Sequence, residues 1–100
     1  MNEPTDLTER MRPLRARFLK RLSEDREALL VAHAGADAAA LQAICHRLAG
    51  NAGLFGFTEL GGAARRVEDA IVNDQEPDLR DRLIDQLLEM LTATVQDPEP

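Results

Sequence analysis

The sequence has a single cysteine, Cys45, no tryptophan and no tyrosine, and its aromatics are Phe18, Phe55 and Phe57. One cysteine excludes an internal disulfide and any cysteine-rich metal cage. With so few aromatics the core has to be built from Leu, Ile, Val, Ala and Met. That palette suits helix packing better than a β-sandwich, which draws on β-branched and aromatic residues at alternating positions. An excess of positive charge is also missing. The formal net charge is −6, and acids and bases read as interspersed along the chain. Without a basic stripe, neither nucleic acid nor an anionic membrane is an expected partner. No apolar run approaches the roughly 20 residues needed to cross a bilayer. Residues 1–6 are polar and acidic, unlike a signal or transit peptide. These absences together point to a cytoplasmic location. A length of 100 residues fits one domain over 1–100.

What is present is helical periodicity. Residues 1–6 and 97–100 read as frayed ends around a bundle core of about 7–95. Leu7 and Met11 form a short apolar edge, the basis for a possible short extra N-terminal helix, before Pro13, which is well placed as the first residue of the next helix. There Leu14, Phe18, Leu22, Asp25, Leu29 and Ala32 follow helical spacing with Asp25 as the one polar intrusion, and Gly35 supplies a stop. Arg15, Arg17, Lys20 and Arg26 read as alternating with acids on the outer surface. Asp37 is a candidate N-cap for a segment with the stripe Leu41, Ile44, Cys45, Leu48 and Ala52. Thr58 is the candidate cap for the next, with Leu60, Ala63, Ala64, Val67 and Ile71. Asp78 is the candidate cap for the last, with Leu83, Ile84, Leu87, Leu88, Leu91 and Val95. Amphipathic helices joined by short links, without a strand signal, predict an all-α, antiparallel up-and-down four-helix bundle.

One position stands out chemically. If Leu41, Cys45, Leu48 and Ala52 centre the buried face, His46 points roughly 140° away from it, into solvent. Its neighbours on that outer face are Gln42, Ala43, Ala49 and Gly50, with Ala39 and Gly53 a turn further. A solvated helix face normally carries Glu, Lys, Arg and Gln; here an imidazole stands on a platform of Ala and Gly where another protein's backbone can approach. A Gly inside a helix costs about 0.5–1 kcal/mol relative to Ala, which such an approach would offset. The bland alternative is that Gly50 and Gly53 loosen a helix end. His33, near a helix C-terminus, reads as a favourable charge there. Cys45 and His46 diverge by about 100° on a helix and do not form a nucleophilic pair. No second polar group is evident to assist His46, so an independent enzyme is not expected, and no metal-ligand spacing is present.

The run His46-Arg47-Leu48-Ala49-Gly50-Asn51-Ala52, followed by Gly56, Leu60 and Glu68, resembles the signature of histidine-containing phosphotransfer (HPt) domains. The stretch from Gly53 to Thr58 also resembles the phosphotransfer domain of chemotaxis kinases. The motif covers about a third of the chain, and the four-helix pattern extends the likeness to nearly all of it. The resemblance implies a phosphocarrier, not a kinase, in a two-component phosphorelay. His46 would accept a phosphoryl group on its ε nitrogen from a receiver-domain Asp and return it or pass it on. It implies no resident cofactor, with Mg²⁺ held by the receiver. The implied partners are a response-regulator receiver domain and a sensor or hybrid histidine kinase, and the chain is expected to be a monomer.

The family commonly has Lys three residues after the His, where this chain has Ala49. Arg47, Arg65 and Arg66 are the cations that stand in question as substitutes around the phosphoryl group, with Gln42, Ala49 and Gly50 as its other surroundings. Ala39, Ala43, Gly53, Leu54, Arg65 and Arg66 are expected to form the docking rim. Two other readings stay open: a phosphorylation-incompetent module that only binds a receiver or another regulator, and a helical oligomerisation module using the Ala/Gly face.

Overall fold

The computed structural model describes residues 3–97, with side chains from Glu9 onward. Four helices account for almost all of it: α1 Glu3–Ala34, α2 Ala38–Leu54, α3 Thr58–Val72 and α4 Pro77–Gln96. There is no strand among the described residues. The links are too short for anything but antiparallel neighbours, and cross-helix pairs verify the direction. Going up α1, Asp25 meets Arg47, whereas the earlier Phe18 meets the later Phe55. Arg26 likewise meets Thr92, and the later His33 meets the earlier Asp81. Each helix packs on its neighbours in sequence, and α4 closes the ring against α1.

The core is almost wholly aliphatic: Leu22, Leu29, Leu48, Val67, Leu87 and Leu91 are fully buried, and Phe18 and Phe57 seal one end. These are the stripes expected from the sequence, with two trimmed. Leu14 and Val95, at the ends of theirs, are 46% and 39% exposed. No helix among the described residues is long and apolar enough to cross a membrane.

Several local expectations are corrected. No separate N-terminal helix precedes Pro13; α1 runs through it from Glu3. Proline removes one helical hydrogen bond to the carbonyl four residues back. Glu9 and Pro13 are both exposed, so water can satisfy that carbonyl. The side chain of Leu7 lies outside the described residues. So do 1–2 and 98–100 of the expected frayed ends, while Glu3 onward forms the first turn of α1.

Asp37 does cap α2, its carboxylate accepting from the Ala40 N–H at 3.1 Å. Thr58 and Asp78 do not cap their helices. Phe57 and Glu76 occupy the cap positions without side-chain bonds, and Pro77 starts α4 at a position where the N–H it lacks would have no partner within the helix. The left-handed residue after α1 is Ala36, at φ 52°, with Gly35 continuing the turn before it.

Candidate functional site

His46 lies in the middle of α2, and its side chain is 77% exposed, on the outer face as its helical phase requires. It is not alone. Its Nδ1 lies 2.8 Å from Oε2 of Glu68 on α3, a carboxylate only 18% exposed. An ionised carboxylate can only accept, so the bond needs the proton on Nδ1. In the neutral ring that leaves the lone pair on Nε2. The expectation that no second polar group assists His46 is therefore corrected.

The pairing follows from how α2 and α3 meet. Gly61 is buried in their contact, and a Cβ there would sit 3.2 Å from the Ala49 carbonyl and 3.6 Å from the Gly53 nitrogen. A side chain there would press on that carbonyl, which would have to give by a few tenths of an ångström, so glycine suits this close approach. From Gly53 back to His46 is two turns of α2, and from Gly61 on to Glu68 is two turns of α3. Both are about 10 Å of helix, so antiparallel packing brings the carboxylate level with the imidazole.

The same contact relocates Ala49. It was expected on the open face beside His46, but it is 6% exposed and belongs to the α2–α3 core. At about 60° from His46 around the helix, it falls on the side that α3 covers. Where the family commonly has Lys, this chain has a packed methyl.

Arg47 is also placed differently from expectation. Its Nη2 donates to Oδ1 of Asp25 at 2.8 Å, drawing the guanidinium toward α1 and away from His46. Asp25, 5% exposed, is the polar intrusion in the α1 stripe, and Arg47 is the reason it can be buried. Arg65 and Arg66 are both exposed. Arg65 is one turn from Glu68 on the same side of α3. Arg66 lies about 160° round from Glu68, with its guanidinium over Gly62, so it is not brought to the site.

Gln42, half-buried, precedes His46 by one turn. Ala39, Ala43, Gly50, Gly53 and Leu54 are exposed and form a continuous strip with His46. A Cβ added at Gly50 or Gly53 would meet nothing within 4 Å. The platform is thus open on its outer side, and Leu54, 65% exposed, ends it with an apolar step.

Cys45 is buried beside this site, and burial, then the Glu68 charge, pushes its thiol up to about 12. It is a core residue with no thiolate to offer. Among the described residues no group of His, Cys, Asp and Glu is placed to hold a metal ion.

Two contacts around His46 are not read from the sequence alone. Glu68 enters there only as part of a motif, although its position two turns after Gly61 is the available clue. The partner of Asp25 was signalled by its polar break in an apolar stripe. Comparison with family models gives a match to the Hpt domain over residues 13–97. Neither the curated proteins nor the solved structures give a match.

Proposed function

The chain belongs to the Hpt domain family, the phosphotransfer modules of two-component signalling, and from that premise we propose that it relays a phosphoryl group on His46. The observation that carries the proposal is the Nδ1 to Glu68 hydrogen bond beneath an exposed ring. It turns a solvated histidine into an oriented nucleophile with Nε2 facing outward.

In this reading Nε2 attacks the phosphorus of an aspartyl phosphate on a receiver domain. The new bond is N–P, the acyl P–O bond breaks, and the Asp carboxylate leaves with the electron pair. The ring keeps its Nδ1 proton and becomes a phosphorylated imidazolium. Glu68 stabilises the positive charge that develops there and holds the tautomer, as a buried carboxylate does for a general-base histidine. Phosphoryl transfer needs mainly positioning and charge neutralisation. The rigid α2–α3 pair supplies the positioning. The receiver brings the Asp and Mg²⁺, and Ala39, Ala43, Gly50, Gly53 and Leu54 are the surface it rests on. The reverse transfer, to a receiver or within a pathway begun by a sensor or hybrid kinase, uses the same geometry. One module over 1–100, acting as a monomeric phosphocarrier in the cytoplasm, fits this role.

The packed Ala49 methyl favours one other reading, a module that binds a receiver without being phosphorylated. Receiver domains charged with acetyl phosphate, presented to the wild type and to His46→Gln, separate the two. Acid-labile, base-stable phosphate on the wild type alone supports the relay. Binding of a receiver without any label supports the binding-only module.

A further inference from the structure

Residues 10–21 contain Arg10, Arg12, Arg15, Arg17, Lys20 and Arg21 and no acid at all, so the expected alternation of acids and bases does not hold there. All 18 acids, but only half of the 12 bases, lie in the rest of the chain. Arg15 stacks on the Phe57 ring, 5.3 Å from its centroid. Arg12, Arg17, Lys20 and Arg21 are exposed, and none of these four has an ion pair or hydrogen bond among the described residues.

Two of these cations edge a groove. Leu14, Arg17, Phe18 and Arg21 of α1 line one wall, and Asn51 and Leu54 of α2, with Phe55 just after its end, line the other. At its base Phe18 and Phe55 stack at 5.2 Å between centroids. Its lips are apolar and open, with Leu14 and Leu54 at 46% and 65% exposed. The groove is continuous with the His46 strip. Leu54 is two turns and a fraction beyond His46, about 12 Å along α2, and the side chains between them on that face are Gly50 and Gly53.

We propose that this groove is a second recognition site for the receiver domain that meets His46, taking an amphipathic acidic segment of that partner. Its apolar residues seat between Leu14 and Leu54, and its carboxylates pair with Arg17 and Arg21. The inference rests on the phosphorelay reading and adds to it the chemistry of the partner. The charge pattern selects the occupant. A membrane or a nucleic acid duplex is an extended polyanion and also meets the acidic remainder of the molecule, which repels it. A compact acidic protein surface meets only the basic end, since fields from exposed charges fade over about 8–10 Å at physiological salt. The patch then sets association rate and partner choice, the usual yield of complementary surface charge.

The test uses the full chain with Arg17→Glu and Arg21→Glu combined, beside Arg17→Lys and Arg21→Lys combined. Two phosphodonors are compared: phosphoramidate, and the acetyl-phosphate-charged receiver that transfers fastest to the wild type. The glutamate variant is expected to lose on the order of tenfold in transfer from the receiver and to lose most of its salt dependence. Its labelling by phosphoramidate should be unchanged, and the lysine variant should behave as wild type. Unchanged transfer from the receiver overturns the groove proposal and leaves the relay standing. So does unchanged transfer accompanied by lost binding to phosphatidylserine vesicles or to duplex DNA, which assigns the patch to those surfaces. No transfer to the wild type from any receiver overturns the relay and this inference together.

Discussion

Nδ1 of His46 and Oε2 of Glu68 stand 2.8 Å apart across the α2–α3 contact, one on an exposed ring and the other on a largely shielded carboxylate. This pair determines which ring nitrogen is free. Glu68→Ala should slow transfer to His46 by roughly 10–100-fold, the usual cost of removing a partner that orients a histidine. The neutral ring should also lose its preference for the Nδ1–H tautomer, visible in long-range ¹H–¹⁵N spectra. Glu68→Gln keeps an acceptor oxygen but not the charge and should fall between. Wild-type rates and an unchanged tautomer in Glu68→Ala would show that the carboxylate is a bystander.

Arg47 Nη2 is held by the buried Asp25 at 2.8 Å, on the α1 side of α2. Arg47→Ala leaves the carboxylate of Asp25 buried without its cation, and about 1–3 kcal/mol of stability should be lost. The about 3–5 kcal/mol cost of breaking a fully buried pair is not expected, because the Arg47 side chain is 41% exposed and partly screened. Urea unfolding measures the loss, and initial rates of transfer to His46 should stay close to wild type. A large drop in rate at unchanged stability would restore Arg47 to the phosphoryl environment.

Gly50 separates folding from docking. An added Cβ meets nothing there, and φ is not in the left-handed region, so Gly50→Ala should stabilise the helix by about 0.5–1 kcal/mol. Gly50→Leu should also fold, yet it raises a side chain on the strip beside His46. Receiver-dependent transfer should then fall on the order of tenfold or more, since small displacements of reacting groups are costly. Equal transfer by both variants would mean that no partner approaches this close.

Cys45 gives a pH signature. Its thiol ordinarily titrates at 9.0 and is raised to about 12 in the folded chain. The folded state therefore holds its proton where the unfolded state has lost it. The stability from this group is complete below pH 9.0 and drains away as pH rises from there toward about 12. Below that window the thiol should resist dithionitrobenzoate until urea unfolds the chain. Rapid labelling of folded protein would contradict its burial.

Much of the fold was legible because the chemistry is local. The α3 and α4 stripes carry a clear period, and a short aliphatic palette leaves few other ways to bury them. The exposed side of His46 followed from the phase of Leu41, Cys45, Leu48 and Ala52 in α2. The misplacements share a physical origin. Whether Ala49 or Ala43 faces solvent depends on which side of α2 is covered by α3, and that is set by Gly61, a distant residue with no side chain to advertise its role. The direction taken by Arg47 depends on Asp25, one helix earlier. Pro13 reads as a helix start locally, but an exposed first stretch of α1 tolerates the missing bond.

The most direct test is to locate the phosphoryl group after transfer. The wild-type chain is incubated with a charged receiver, digested under alkaline conditions that preserve phosphohistidine, and mapped, with the ring nitrogen identified by NMR. A single phosphoryl group on Nε2 of His46, absent from His46→Gln, is the expected result. Phosphate on Nδ1, on another residue, or persisting in His46→Gln would contradict the assignment of His46, oriented by Glu68, as the carrier.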